Sequence, residues 1–150
     1  MTKSKEPDQI IAQALKCLEK RLSYGSILLN SSRDVCAYLR LQLSSERNEV
    51  FAIAFLNNAH RLIAFEKLFQ GTISETTVYP RTVVQKALNY NAAAVLLAHN
   101  HPSGACIPSQ ADRQTTYQLK EILKYMNIEV LDHIIVSNKV TYSFAEYGIL

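Results

Sequence analysis

His99-Asn100-His101 is followed, after a loop containing Pro102, Gly104 and Pro108, by Ser109-Gln110-Ala111-Asp112. The stretch holds two imidazoles and a carboxylate able to ligate a metal, and one hydroxyl beside them. Two histidines and a carboxylate leave one position of a tetrahedral zinc ion open, as a catalytic site requires and a structural site avoids. Residues two apart on an extended chain point to the same side, so His99 and His101 can converge on one ion. The proline and glycine residues mark an irregular loop that can turn the chain back over it. Ser109 stands where a helix N-cap would, ahead of an apolar stripe at Leu119, Ile122, Leu123 and Met126. Asp112 lies two helical turns before Leu119 and so shares the inward face, where a carboxylate is costly unless paired or bound to a cation. Each half alone has a plainer reading: His-x-His is common, and Ser-x-x-Asp is a variant of the helix capping box. Joined by a Pro/Gly loop at this spacing, they predict a metal-dependent hydrolase.

His-x-His, seven residues, then Ser-x-x-Asp resembles the signature of the JAMM (MPN-plus) metalloprotease domain. Tyr79-Pro80-Arg81, Ala87-Leu88, Asn91-Ala94, Ala98-Gly104, Pro108-Ser109 and Asp132-His133 narrow the likeness to the bacterial RadC-like family. The resemblance runs from about Glu49 to Phe144. It implies an α/β, single-domain JAB/MPN-like fold, a mixed sheet flanked by helices, and one zinc held by His99, His101 and Asp112. It also implies a glutamate on an earlier strand, and Glu49 matches in Arg47-Asn48-Glu49-Val50-Phe51. The residues agree, because Glu49 is in register with Phe51, Ile53 and Phe55 on one face of an apolar strand. A carboxylate aligned with a buried face tends to a raised pKa, which suits a general base working near neutral pH. Alternatively Glu49 opens the strand and points into water, with Glu46 as the fallback base. Thr82 departs from the glutamate that many relatives have after Pro-Arg. Longer RadC-like proteins carry an N-terminal helical region of DNA-binding type. Only residues 1–48 precede Glu49, too few for that region, so an association with DNA repair is expected to transfer poorly.

The expected reaction is zinc-assisted amide hydrolysis of a peptide or protein substrate, with Glu49 moving the proton and Ser109 donating to the developing oxyanion. A metal-dependent nuclease is the second reading, favoured by positive charge, but such enzymes usually need more carboxylates or a second metal. A third is a non-catalytic MPN binding module, although those typically lack the ligands. A zinc deaminase is not expected, since neither His-x-Glu nor Pro-Cys-x-x-Cys is present.

The whole chain sets wider bounds. Its 150 residues fit one domain, able to bury about 68–70% of the unfolded surface. With 48% hydrophobic residues it needs no disulfide. Cys17, Cys36 and Cys106 are odd in number and widely spaced, which argues against a secreted disulfide framework. Cys106 falls in the motif loop and could touch the metal, but better ligands stand beside it. The polar Met1–Pro7 is no signal sequence, and no apolar run approaches a membrane span, so a cytoplasmic location is expected. A net charge of +3, scattered rather than banked into a stripe, neither demands nor excludes DNA.

The elements that must position the motif follow from periodicity. Ile10, Ile11, Ala14, Leu15, Leu18 and Leu22 predict a helix over 8–22, and Ser32 caps a second with Val35, Leu39 and Leu43 on one side. Residues 23–30 read as a turn or short extended piece. Residues 1–45 form helices belonging or appended to a catalytic domain over 46–150. Strands are expected at Glu49–Leu56 and Arg61–Phe69, joined by a turn holding His60, a solvated surface residue. Pro80 starts a helix to about Tyr90 with Val83, Val84, Ala87 and Leu88 inward. Ala92–Ala98 is a short strand delivering His99, the helix Ser109–Met126 follows, then strands Ile128–Val136 and Val140–Phe144. Alternating helices and strands favour α/β layers. Asp132-His133 interrupts an apolar strand, and at most one of the pair can face the site. It would either orient a ligand histidine or be satisfied core polarity. Ser103 reads as a residue that shapes the loop.

Overall fold

The computed structural model of the chain describes residues 6–24, 32–73 and 75–150. Among these the order is α1 (Pro7–Tyr24), α2 (Ser32–Leu43), β1 (Val50–Leu56), β2 (Leu62–Gln70), α3 (Pro80–Asn89), β3 (Ala94–Asn100), α4 (Gln110–Tyr125), β4 (Glu129–Val136) and β5 (Thr141–Ser143). The strands form one mixed sheet in the order β2-β1-β3-β4-β5. Only β3 and β4 run parallel, and α4 is the crossover that parallel strands need. The expected α/β sheet flanked by helices is therefore the fold.

β1 and β3 read as unbroken apolar runs because both of their faces are covered. Ala52, Ala54, Leu56, Leu96 and Ala98 pack with Val35, Leu39 and Leu43 of α2 and, further out, Leu15 and Leu18 of α1. On the other face Phe51, Ile53, Phe55, Val95 and Leu97 pack with Val83 and Ala87 of α3 and Leu119 and Leu123 of α4. His99 continues the second face, since it stands two residues beyond Leu97 and pairs with Phe51 across the ladder.

Two irregularities shape the end of the sheet that carries the motif. In β4 the register slips between the Val95–Val130 and Leu96–Asp132 pairs, leaving Leu131 as an extra residue. Such a bulge reverses the alternation beyond it. Val130 and, three residues later, His133 consequently face the α4 side, whereas Leu131 and Ile134 pack towards α2. Asn100, on the α2 side of β3, reaches the strand next door. Its Oδ1 accepts from the Val50 amide at 2.7 Å and its Nδ2 donates to the Asn48 carbonyl at 3.0 Å. The two bonds clamp the chain on either side of Glu49.

Several expectations shift at element ends. Helix α1 continues through Ser23 and Tyr24, and the rest of the expected turn, residues 25–30, lies outside the described residues. Ser32 is the first residue of α2. Strand β3 extends to Asn100, so His99 belongs to the strand rather than following it. Leu88 and Met126, expected inward, are 54% and 44% exposed, because each sits in or just past the last turn of its helix, beyond the sheet it packs on. No helix among the described residues is long and apolar enough to cross a membrane.

Asn100 is 3% exposed, and its bonds have no solvent to replace them. Asn100→Ala is expected to lower the unfolding free energy by about 1–3 kcal/mol in denaturant titration. An unchanged midpoint would show that the clamp contributes nothing.

Candidate metal centre

The carboxyl end of β3, the loop after it and the first turn of α4 bring the motif together. His99 is delivered by the central strand and is 1% exposed. His101 lies just beyond, its amide donating to the Val136 carbonyl at 2.8 Å, so the neighbouring parallel strand fixes its backbone. Gly104, at φ +89°, lets the loop reverse where a Cβ would be strained. The Ala105 carbonyl then sits 2.6 Å from His101 Nδ1. A carbonyl only accepts, so Nδ1 carries a proton, and in the neutral ring the lone pair is on Nε2.

Ser109 starts α4 with a full capping box. Its hydroxyl oxygen accepts from the Asp112 amide at 3.0 Å, and Asp112 Oδ2 accepts from the Ser109 amide at 2.8 Å. The box turns the Asp112 carboxylate towards the histidines, 3.2 Å from His99 Nε2 and 3.4 Å from His101 Nε2. One ligating atom from each of His99, His101 and Asp112 lies within 4.8 Å of the others. The two Nε2 atoms are 2.9 Å apart.

This donor set fits a metal ion. Imidazole nitrogens packed against each other and against a carboxylate repel unless a proton or a cation stands among them. Two imidazole nitrogens and one carboxylate oxygen are a donor set that divalent transition metals, zinc included, accept. Burial works against charging His101, but the Asp112 carboxylate, the Ala105 carbonyl and Glu49 together raise its pKa above the ordinary value. Burial likewise opposes the Asp112 carboxylate, yet the His101 and His99 side chains beside it hold it well below the usual carboxylate range.

Glu49 lines the same cleft, with Phe51, Thr76, His101, Ser103, Ser109 and Asp112 among its walls. It precedes β1 by one residue, and backbone bonds to the chain just past β2 hold it there. Its amide donates to the Thr72 carbonyl, and its carbonyl accepts from the Gly71 amide. The side chain is 9% exposed rather than pointing into water, and burial raises its pKa, partly offset by His99. Glu46 is elsewhere, paired with Lys67 at 2.6 Å. Cys106 also turns away, its thiol directed at the Ile135 and Val140 carbonyls at 3.3 and 3.5 Å, because the loop buries it behind the ligands. Asp132 faces away too and ties the β4–β5 end, accepting from Ser143 Oγ and the Ala145 amide. His60 stays in the β1–β2 turn at φ 56°.

His133 and Thr116 complete the cluster. His133 Nε2 is 2.7 Å from His99 Nδ1, and Thr116 Oγ1 bonds His133 Nδ1 at 2.5 Å. The strand position of His133 left its direction open, and Thr116 carried no signal beyond standing one turn after Asp112 on α4.

The RadC-like JAB domain family model matches residues 29–149, and the chain belongs to that family. The UPF0758 protein YkfG of Escherichia coli K12 is 46% identical over 142 residues, covering 95% of this chain and 90% of that relative. A UPF0758 protein of Vibrio cholerae is 47% identical over 140 residues, with 93% and 87% covered. One from Nitrosospira multiformis is 48% identical over 141 residues, but this chain spans only 62% of its length. The His99, His101 and Asp112 group fits the JAMM motif of the domain.

A raised folded-state pKa for His101 contributes stability that is full below the unfolded value of 6.5 and is lost as pH rises through the folded value. Chelator-treated protein is therefore expected to melt at falling temperature as the pH is raised above about 6.5, and Asp112→Asn to flatten that fall. Zinc affinity should rise over the same window, because the proton must leave for the ion to bind. A wild-type melting temperature independent of pH there would contradict the assigned pairing.

Proposed function

We propose that this chain is a zinc-dependent hydrolase of amide bonds, holding one zinc through His99, His101 and Asp112 and acting on a peptide or protein substrate. The observation behind it is the convergence of these donors in a cleft that also contains a buried carboxylate outside the ligand set. A bound zinc ion supplies a Lewis acid that lowers the pKa of water to about 7 and polarises a carbonyl.

The protein's own groups do the rest. Glu49 accepts the proton of the attacking water, a task suited to a carboxylate whose basicity burial has increased. It then returns that proton to the leaving amine. The Ser109 oxygen is already engaged as acceptor by the Asp112 amide, which leaves its hydroxyl proton to donate to the developing oxyanion. Thr76 Oγ1 donates to the Glu49 carbonyl at 3.0 Å and steadies the backbone of the base.

The cleft, about 300 Å³ in volume, suits an extended segment around the scissile bond rather than a folded domain. Ile73 and Ile107, 66% and 73% exposed, border it and offer apolar contacts to substrate side chains.

The test is hydrolysis of a peptide and isopeptide library by zinc-loaded protein. Glu49→Gln is expected to keep zinc at the wild-type stoichiometry and to lose about 10²–10⁴-fold in kcat/KM. Ser109→Ala should lose about 10²–10³-fold in kcat. Turnover of Glu49→Gln at the wild-type rate, or DNA cleavage that requires His99 in place of peptide cleavage, would overturn the assignment.

A further inference from the structure

His99, His133 and Thr116 are 1%, 0% and 2% exposed, so no water competes for the bonds that join them. Buried polar groups must satisfy one another, and here the chemistry of one end dictates the direction of every bond. The Asp112 carbonyl can only accept, and Thr116 Oγ1 lies 2.6 Å from it. The single hydroxyl proton of Thr116 is spent there. Towards His133 Nδ1, at 2.5 Å, the Thr116 oxygen must accept. His133 Nδ1 therefore carries the proton and His133 Nε2 the lone pair. His99 Nδ1, 2.7 Å from that lone pair, must in turn be the donor. The neutral His99 ring then has its own lone pair on Nε2, the atom that faces His101 and Asp112.

We propose that Thr116 and His133 are positioning residues that fix the tautomer and orientation of His99, so that its Nε2 lone pair is presented to a cation at the site. The inference rests on the reading of this cluster as a metal site, but its logic lies in the protein alone. Packing holds the rings as the bonds demand. Phe144 stacks on His133 with centroids 4.6 Å apart, Phe51 meets His133 edge-on at 5.5 Å, and Phe51 stacks on His99 at 6.2 Å. The bulge at Leu131 aims His133 at His99. The helix that supplies Asp112 also supplies Thr116 one turn later, so two ligands are linked through one buried chain.

Thr116→Val keeps the shape and removes the hydroxyl. His133 Nδ1 then has no acceptor, and its proton is free to move to Nε2. His133 would then donate to His99 Nδ1 and push the remaining proton onto His99 Nε2, where the cation should bind. Long-range ¹H–¹⁵N spectra of metal-free protein read these tautomers directly. Wild type and Thr116→Ser are expected to show His99 protonated at Nδ1, and Thr116→Val to lose that form. Zinc affinity, from competition with a chromophoric chelator, should weaken about 10–100-fold in Thr116→Val and return in Thr116→Ser. A purely structural role for Thr116 would move the melting temperature and leave the tautomer alone. If Thr116→Val does not fold, His133→Leu against His133→Gln makes the same comparison, since only glutamine can accept from His99 Nδ1.

Retention of the Nδ1 proton on His99 and of wild-type zinc affinity in Thr116→Val would overturn the proposal. Failure of wild type to take up zinc would contradict the zinc-site reading instead. The metal-free spectra would then still decide the direction of the relay.

Discussion

Two imidazole nitrogens 2.9 Å apart, with a carboxylate 3.2 and 3.4 Å from them, form a repulsive arrangement unless positive charge stands among them. Most of the fold around the site can be understood as the means of enforcing it. β3 lies in the middle of the sheet with both faces buried, so the strand that delivers His99 has little freedom to yield. The parallel β3–α4–β4 crossover brings the start of a helix beside the end of that strand. The capping box then sets the direction of Asp112 while satisfying amides at the helix end. A carboxylate in the first helical turn also suits the helix dipole.

The same economy governs Glu49. The residue lies outside the ligand cluster in sequence and is carried by a different strand, yet its position is tied to the motif through Asn100. The middle residue of His99-Asn100-His101 points to the opposite face from its neighbours and holds both Asn48 and Val50. One tripeptide thus supplies two candidate ligands and the anchor for the candidate base.

What the sequence could disclose depended on how local each feature is. The cluster of His99, His101 and Asp112 was legible because its members fall within a strand end, a loop and a helix start, where spacing determines geometry. The inward positions Leu119 and Leu123 of α4 followed from periodicity, and Glu49 from the family resemblance, with which its register beside Phe51, Ile53 and Phe55 agrees. The direction of His133 was not legible, because it depends on an extra residue in β4 that alternation cannot reveal. Thr116 was invisible for a related reason: a threonine on a helix has no distinguishing pattern until a buried histidine from another strand meets it. Leu88 and Met126 failed at helix ends, where the periodic stripe runs on past the surface it packs against. Membership of the RadC-like JAB domain family agrees with the reading drawn from the motif, and the coarse architecture with it.

The central claim is that His99, His101 and Asp112 exist to hold a metal ion. It is tested most directly by elemental mass spectrometry on protein purified without chelator or a metal-affinity tag, with Asp112→Ala prepared in parallel. The account predicts close to one zinc per wild-type chain and a sharp fall in the variant. Little metal in wild-type protein, not restored when zinc is supplied, would contradict it and point to a fold kept for binding rather than hydrolysis.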